Sequence, residues 1–143
     1  MKNILGILLV SFIANFTIAQ QCDSLPSICY EYLKTDLKNN KIFISDGQVY
    51  QAFVDVEQTA EFKVTLYGGS FYRIATTAGR RENYVVFNVY DSERNLLFSN
   101  EEYDNKPYWD FKIENTMDCY IEARIDIDKK VSGCLVVLIG FQR

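Results

Sequence analysis

The sequence predicts an all-β fold: an antiparallel, jelly-roll-like β-sandwich of about seven to nine strands that follows one short N-terminal helix. From Lys41 onward, apolar and polar residues alternate along the chain, as they do in half-buried strands. Turn residues such as Asp46-Gly47 and Gly68-Gly69 separate the alternating runs. The runs follow one another too closely for the helices of a parallel α/β sheet.

Each candidate strand is a short run of residues. In chain order the runs are "KIFIS", "VYQAFVDVE", "EFKVTLY", "SFYRIATT", "YVVFNVYD", "NLLFS", "YWDFKIE", "CYIEARIDID" and "CLVVLIGF". The closing run is apolar on both faces, which is typical of a strand covered on both sides. Gly68-Gly69 predicts a hairpin between the third and fourth runs, and the last two runs form a second predicted hairpin. We expect Tyr72 and Tyr120 to face outward from their sheets.

The N-terminal part of the chain predicts export. Segment 1–19 has an early cation, Lys2, then an apolar run, and ends in the small-residue pattern Thr17-Ile18-Ala19. This is the pattern of a cleaved signal peptide, and the apolar run is shorter than a bilayer-spanning helix. We therefore expect a periplasmic or extracellular protein without a transmembrane segment.

The segment 20–40 contains the one predicted helix, "SICYEYLKTDLKNN". Its apolar stripe comprises Tyr30, Leu33 and Leu37, and Ser27 is placed to cap its start. The sandwich domain then extends over 41–143 and has the size of one domain. The net charge of −4 makes a nucleic-acid partner improbable, because an acidic surface repels phosphate.

Four cysteines lie in the exported part of the chain and predict disulfides: Cys22, Cys29, Cys119 and Cys134. Four cysteines allow three pairings. The local pairs Cys22–Cys29 and Cys119–Cys134 are weakly favoured over crossed pairs that tie the N-terminal segment to the sandwich.

The absence of histidine argues against most hydrolytic mechanisms, since nucleophilic serines and metal hydrolases usually need imidazole. A carboxylate-dependent hydrolase of the glycosidase type stays an alternative. Its candidate acids are Glu101, Glu102, Asp104 and Asp110.

The stretch "VYDSERNLLFSN" allows two interpretations. Its oxygen-bearing residues are candidate calcium ligands, and calcium is the only cofactor that the sequence suggests: Asp91, Glu93, Asn95, Asn100 and Asp104. The spacing, however, lacks the glycine and the terminal glutamate of an EF-hand loop. A turn between two strands, with an Asx-type bond at Asp91 and a left-handed Asn95, accounts for the residues better.

Aromatic residues follow this stretch. Tyr103 and Tyr108 lie in or beside a loop and are candidate ligand-binding residues. Trp109 alternates in phase with Phe111 and Ile113, so we expect it in the core.

Four segments occur in the order of a known family: "AEFKVTLYGGSFYRIATT", "VVFNVYDSERNLLFSNEEYDN", "YWDFKIENTMDCYIEARI" and "GCLVVLIGF". This part of the chain resembles the bacterial pre-peptidase C-terminal domain, a β-sandwich that is appended to secreted peptidases. Arg94 replaces the glycine of that family's D-x-x-G-N turn. We expect a stand-alone sandwich protein without an attached peptidase domain. The resemblance implies a non-catalytic accessory or binding module whose ligand is an extracellular protein or a glycan. A structural subunit of the cell envelope is a further alternative, and the oligomeric state stays open.

Overall fold

The computed structural model describes residues 22–34, 41–80 and 83–142. Within these ranges nine strands form two antiparallel sheets, and one helix packs on the outside of one sheet. The predicted sandwich with a single helix is therefore confirmed. The predicted signal peptide at 1–19 lies outside the described residues. Among those that are described, no helix has the length and apolarity that a membrane crossing would need.

The strands are connected in the order of a jelly roll. The elements are α1 (Leu25–Leu33), β1 (Ile44–Ser45), β2 (Tyr50–Val54), β3 (Ala60–Leu66), β4 (Ser70–Thr77), β5 (Val85–Asp91), β6 (Leu96–Ser99), a 3₁₀ turn (Asn100–Tyr103), β7 (Tyr108–Ile113), β8 (Met117–Ile125) and β9 (Gly133–Gln142). The first sheet has the order β2-β9-β4-β7, with the two-residue β1 also pairing with β9, and the second sheet has the order β3-β8-β5-β6.

Both predicted hairpins are wrong. Strand β3 pairs with β8, whereas β4 pairs with β7 and β9, so Gly68-Gly69 carries the chain from one sheet to the other. Gly69 has a φ of +83°, and a Cβ on Gly68 would lie 2.6 Å from the Glu114 carbonyl oxygen. The glycines thus allow a close crossing rather than a ladder between neighbours. Strands β8 and β9 likewise belong to different sheets.

The core lies between the two sheets. Its most deeply buried large side chains come from both layers and include Phe87, Ile74, Ile121 and Leu135. Strand β9 is buried on both faces, as its apolar sequence predicts, because α1 covers its outer face.

Helix α1 begins and packs differently from the prediction. It starts at Leu25, with Pro26 in its first turn, and its buried residues are Leu25, Cys29 and Leu33. These three residues recur every four positions, so they form one apolar face. That face packs against the outer face of the first sheet, whereas Tyr30 of the predicted stripe is only half-buried.

A disulfide joins Cys22 to Cys134, so the favoured local pairs are wrong and a crossed pair is present. Cys29 and Cys119 are buried thiols. Cys29 lies beneath α1 and Cys119 lies between the sheets, so the first sheet separates them and they cannot bond to each other. Burial raises the pKa of Cys29 to about 12 and that of Cys119 to about 11. Both thiols are therefore poor nucleophiles.

We predict that peptide mapping of the unreduced protein will find Cys22 linked to Cys134, with Cys29 and Cys119 alkylated only after unfolding. The bridge closes a sequence separation of 112 residues. Replacing Cys22 by serine should therefore lower the free energy of unfolding by about 4 kcal/mol. A Cys119→Ser variant is the control for the loss of a thiol. A map that links Cys22 to Cys29 would contradict this connectivity.

Candidate functional site

An open cleft of about 580 Å³ lies where β7 begins, beside α1. We call it the aromatic cleft. It is lined by Tyr32, Lys106, Pro107, Tyr108, Trp109 and Asp110. Strand β7 pairs only with β4 among the described strands, so the cleft opens at an edge of the first sheet.

A buried arginine organises the cleft. Arg73 on β4 is 2% exposed and donates from Nε and Nη2 to the two carboxylate oxygens of Asp110, at 2.6 and 2.9 Å. Its Nη1 donates to the Tyr32 carbonyl oxygen at 3.0 Å. The guanidinium lies between the rings of Phe43 and Tyr108, 4.4 and 4.3 Å from their centroids. One side chain thereby fixes the positions of α1, β7 and the chain before β1.

The two predicted ligand-binding tyrosines are both partly exposed, but Tyr103 is not part of the cleft lining. Tyr108 lines the cleft and is 39% exposed, and Tyr103 is 41% exposed and packs on Trp109 with ring centroids 4.3 Å apart. Trp109 also packs against the core beside Phe98, as its alternation predicts, and contributes to the cleft wall. Ligand binding by the two tyrosines stays a prediction.

The predicted calcium ligands are divided between two places. Asp91, Glu93 and Asn95 lie in the turn before β6, whereas Asn100 and Asp104 follow that strand. The four residues of β6 separate the groups by roughly 16 Å. The structure therefore does not bring the five together at one ion, and no group of three Cys, Asp or Glu side chains suited to a metal occurs among the described residues. Calcium binding stays an untested prediction.

The turn before β6 has the Asx geometry that the sequence suggests. Asp91 Oδ1 accepts hydrogen bonds from the backbone N–H groups of Glu93 and Asn95, both at 2.9 Å. The Asn95 side-chain amide and these two N–H groups lower the pKa of the Asp91 carboxyl. The left-handed residue is Arg94, with a φ of +68°, and not Asn95.

The contacts of the Arg94 side chain account for the left-handed conformation of this residue. Its guanidinium makes two hydrogen bonds to the Glu61 carboxylate and lies over the Tyr120 ring, 3.9 Å from the centroid. These contacts on the outer face of the second sheet offset the cost of a left-handed arginine. Tyr120 thus faces outward as predicted. Tyr72 does not, because its ring is buried between the sheets.

Asn100 is a structural residue. It is fully buried, and its Oδ1 accepts the Phe87 N–H at 2.8 Å. Its Nδ2 donates to the carbonyl oxygens of Val85 and Lys106 at 2.9 and 3.0 Å. The amide therefore ties β5 to the loop that leads into β7 and the cleft.

The four candidate acids are also dispersed. Glu101 forms an ion pair with Arg124 at 3.1 Å, and Asp104 ends the 3₁₀ turn in a left-handed conformation. Glu102 is exposed on that turn, and Asp110 binds Arg73. The lining of the cleft contains one carboxylate, that of Asp110.

The comparisons with known proteins bear on the fold. The sequence matches no family model, and no curated protein matches it. Among solved structures, the chain is similar to PliG from Aeromonas hydrophila, a periplasmic lysozyme inhibitor of g-type lysozyme. The two align over 66% of this chain and 85% of PliG, with a TM-score of 0.52 and 10% identity. At this identity the likeness shows a shared fold alone.

Sequence reasoning missed the centre of the cleft. Arg73 occurs in an alternating strand, where a charged residue is usually on the surface, and its partner Asp110 is distant in sequence. An arginine in "SFYRIATT", a run otherwise almost free of charge, was the available signal.

We predict that Arg73→Ala will lower the free energy of unfolding by about 3 kcal/mol, because it leaves the Asp110 carboxylate without its buried partner. Urea denaturation measures this change. Arg124→Ala is the matched control, since its pair with Glu101 is exposed, and we expect a loss below about 1 kcal/mol. Equal losses in the two variants would show that Arg73 does not organise the cleft.

We also predict that Asn100→Ala will cost about 3 kcal/mol, because three hydrogen bonds to backbone groups disappear in a buried setting. Asn95→Ala removes an exposed amide and should cost about 1 kcal/mol or less. Thermal unfolding compares the two. A near-neutral Asn100→Ala would contradict its structural role.

Proposed function

We propose that this chain is an exported, non-catalytic module that binds a protein partner through the aromatic cleft. The observation that carries the proposal is the exposed Tyr108 in a cleft at an open sheet edge, where the buried Arg73 of the Arg73–Asp110 pair packs on its ring. The likeness to the pre-peptidase C-terminal domain, itself an appended and non-catalytic sandwich, agrees with this proposal.

Three features support export to the periplasm or the extracellular space. The segment 1–19 has the composition of a signal peptide. Cys22 and Cys134 form a disulfide, which persists in oxidising compartments. PliG, which has a similar fold, is periplasmic.

The chemistry of the cleft argues against the hydrolase alternative. Glycoside hydrolysis needs two facing carboxyl groups, one of which donates a proton. Both oxygens of the Asp110 carboxylate accept hydrogen bonds from Arg73, so this carboxylate is not placed to donate a proton to a substrate. Neither histidine nor a second carboxylate lines the cleft within the described residues.

The surroundings of the cleft favour a protein over a glycan. Tyrosine, tryptophan and arginine are the residues that contribute most to protein interfaces. Strand β6 lies on the same side of the sandwich, because its Phe98 contacts Trp109, and it exposes Leu96 and Leu97 by 55% and 51%. These leucines add exposed apolar area on the same side of the sandwich as the cleft, which suits a protein surface better than a sugar.

The negative charge of the chain and the role of PliG indicate which kind of protein partner to test first. A net charge of −4 favours a basic partner through electrostatic complementarity. PliG is an inhibitor of g-type lysozyme, so an extracellular lysozyme is the first partner to test.

We predict that Tyr108→Ala will weaken binding to purified g-type lysozyme by about thirtyfold, as expected for a central interface tyrosine. Biolayer interferometry measures the affinity, and a lysozyme activity assay shows whether binding inhibits. Tyr120→Ala is the matched control, because its ring also lies over an arginine but on the other sheet. We expect it to change the affinity by less than about threefold.

Other outcomes would replace the proposal. Tyr108-dependent binding on a glycan array, without lysozyme binding, would indicate a glycan ligand. Concentration-dependent self-association that Tyr108→Ala abolishes would favour the structural subunit. Turnover of a glycoside that Asp110→Asn abolishes would establish the hydrolase.

A further inference from the structure

A second cavity, of about 570 Å³, lies on the side of the sandwich where β2 and β3 face each other. We call it the β2–β3 cavity. Strand β3 pairs with β8 and strand β2 with β9, and no strand of the described residues joins the two across this side. The interior of the sandwich is therefore accessible here, away from the aromatic cleft.

Apolar and aromatic side chains form the interior of the cavity. Val64, Leu66 and Ile139 are buried residues of the core, and they line its inner part. The rings of Tyr50, Tyr72 and Phe141 also line it. Tyr72 is fixed in position, because its hydroxyl oxygen accepts the Tyr67 N–H at 3.0 Å. Such walls suit an alkyl chain, and their ring faces attract a cation.

Asp46 supplies the carboxylate of the cavity, and this carboxylate has no cationic partner among the described residues. Asp46 Oδ1 accepts the Gln48 N–H at 2.8 Å, and the side chain hydrogen-bonds with that of Tyr50. None of the ion pairs among the described residues includes Asp46. The Asp46 side chain is exposed at the mouth of the cavity, and its partial desolvation there raises the pKa of the carboxyl.

The lysine of the cavity does not supply the missing charge. Lys63 contributes to the lining, but its Nζ lies over the Tyr120 ring on the outer face of the second sheet, 6.0 Å from the centroid. Thr65 likewise points to that face, where it donates to Asp118. An incoming cation at Asp46 therefore meets aromatic rings, while the ammonium group of Lys63 is engaged on the other face of the second sheet.

We propose that the β2–β3 cavity binds an alkylammonium group, with the alkyl chain among the aromatic rings and the ammonium on Asp46. The group is either a free amine or a lysine side chain of another protein. This site is separate from the aromatic cleft, so the proposal is tested independently of the proposed function.

The test uses hexylammonium as the probe and follows amide chemical shifts of the full exported chain during titration. We expect saturable shifts at Asp46, Gln48 and Tyr50. Hexanol, which is neutral and of similar size, should bind at least about tenfold more weakly, since it lacks the charge-assisted bond. Asp46→Asn should weaken hexylammonium binding by about the same factor, whereas Asp128→Asn, an equal change of charge at an exposed site, should leave it unchanged.

We do not expect Asp46→Asn to unfold the protein, so a loss of binding in this variant can be attributed to the carboxylate. The folded-state pKa of Asp46 is raised, so the folded protein is disfavoured by ionisation as the pH rises through that pKa. At neutral pH, Asp46→Asn should therefore be at least as stable as the parent protein, and thermal unfolding checks this. A stable Asp46→Asn variant that binds hexylammonium as tightly as the parent protein would overturn the proposal, as would equal binding of hexanol.

A lysine-containing peptide and the same peptide with its lysine acetylated then distinguish the two sources of the ammonium group. A lysine-containing peptide that binds more tightly than hexylammonium and loses affinity on acetylation would identify a protein side chain. Binding of hexylammonium alone would identify a free amine. Binding of neither probe would refute the site.

Discussion

The buried pair of Arg73 and Asp110 is the constraint on which the rest of the cleft depends. Taking a guanidinium out of water is costly, and the cost is recovered only with a complete set of partners. Here those partners are a carboxylate on β7, a carbonyl oxygen at the end of α1 and two aromatic rings. The requirement for all of them at once fixes the helix and the edge strand relative to the sheet.

The jelly-roll order explains why the molecule has two different open sides. Strands β6 and β7 are edges of separate sheets that meet on one side, and the rings of Phe98, Trp109 and Phe111 fill the space between them. On the opposite side, β2 and β3 enclose a cavity instead. The first side therefore presents a cleft over a closed aromatic interior, and the second side presents an opening into the interior with the Asp46 carboxylate beside it.

The sequence predicts local features well and long-range ones poorly. Alternation locates the strands, and the Asx turn at Asp91 is correct, because both depend on neighbouring residues. Strand order depends on partners that are distant along the chain. Gly68-Gly69 therefore indicates a turn but does not show whether the next strand belongs to the same sheet or to the other one. The prediction that Tyr72 faces outward is wrong for the same reason, since the crossing at the glycines decides which face it occupies. The sequence indicates Tyr108 of the aromatic cleft but not Arg73 or Asp46, because these two residues acquire their surroundings only from the fold.

The position of Arg94 shows how the same fold can have different surface chemistry. A glycine in this left-handed position would leave the turn without a side chain, whereas arginine links it to Glu61 and Tyr120 across the second sheet. The acidic residues of that sheet are therefore partly neutralised, while Asp46 on the open side is not. The ion pairs of Arg94 thus compensate charge on the second sheet, whereas the Asp46 carboxylate at the β2–β3 cavity is left available to an incoming cation.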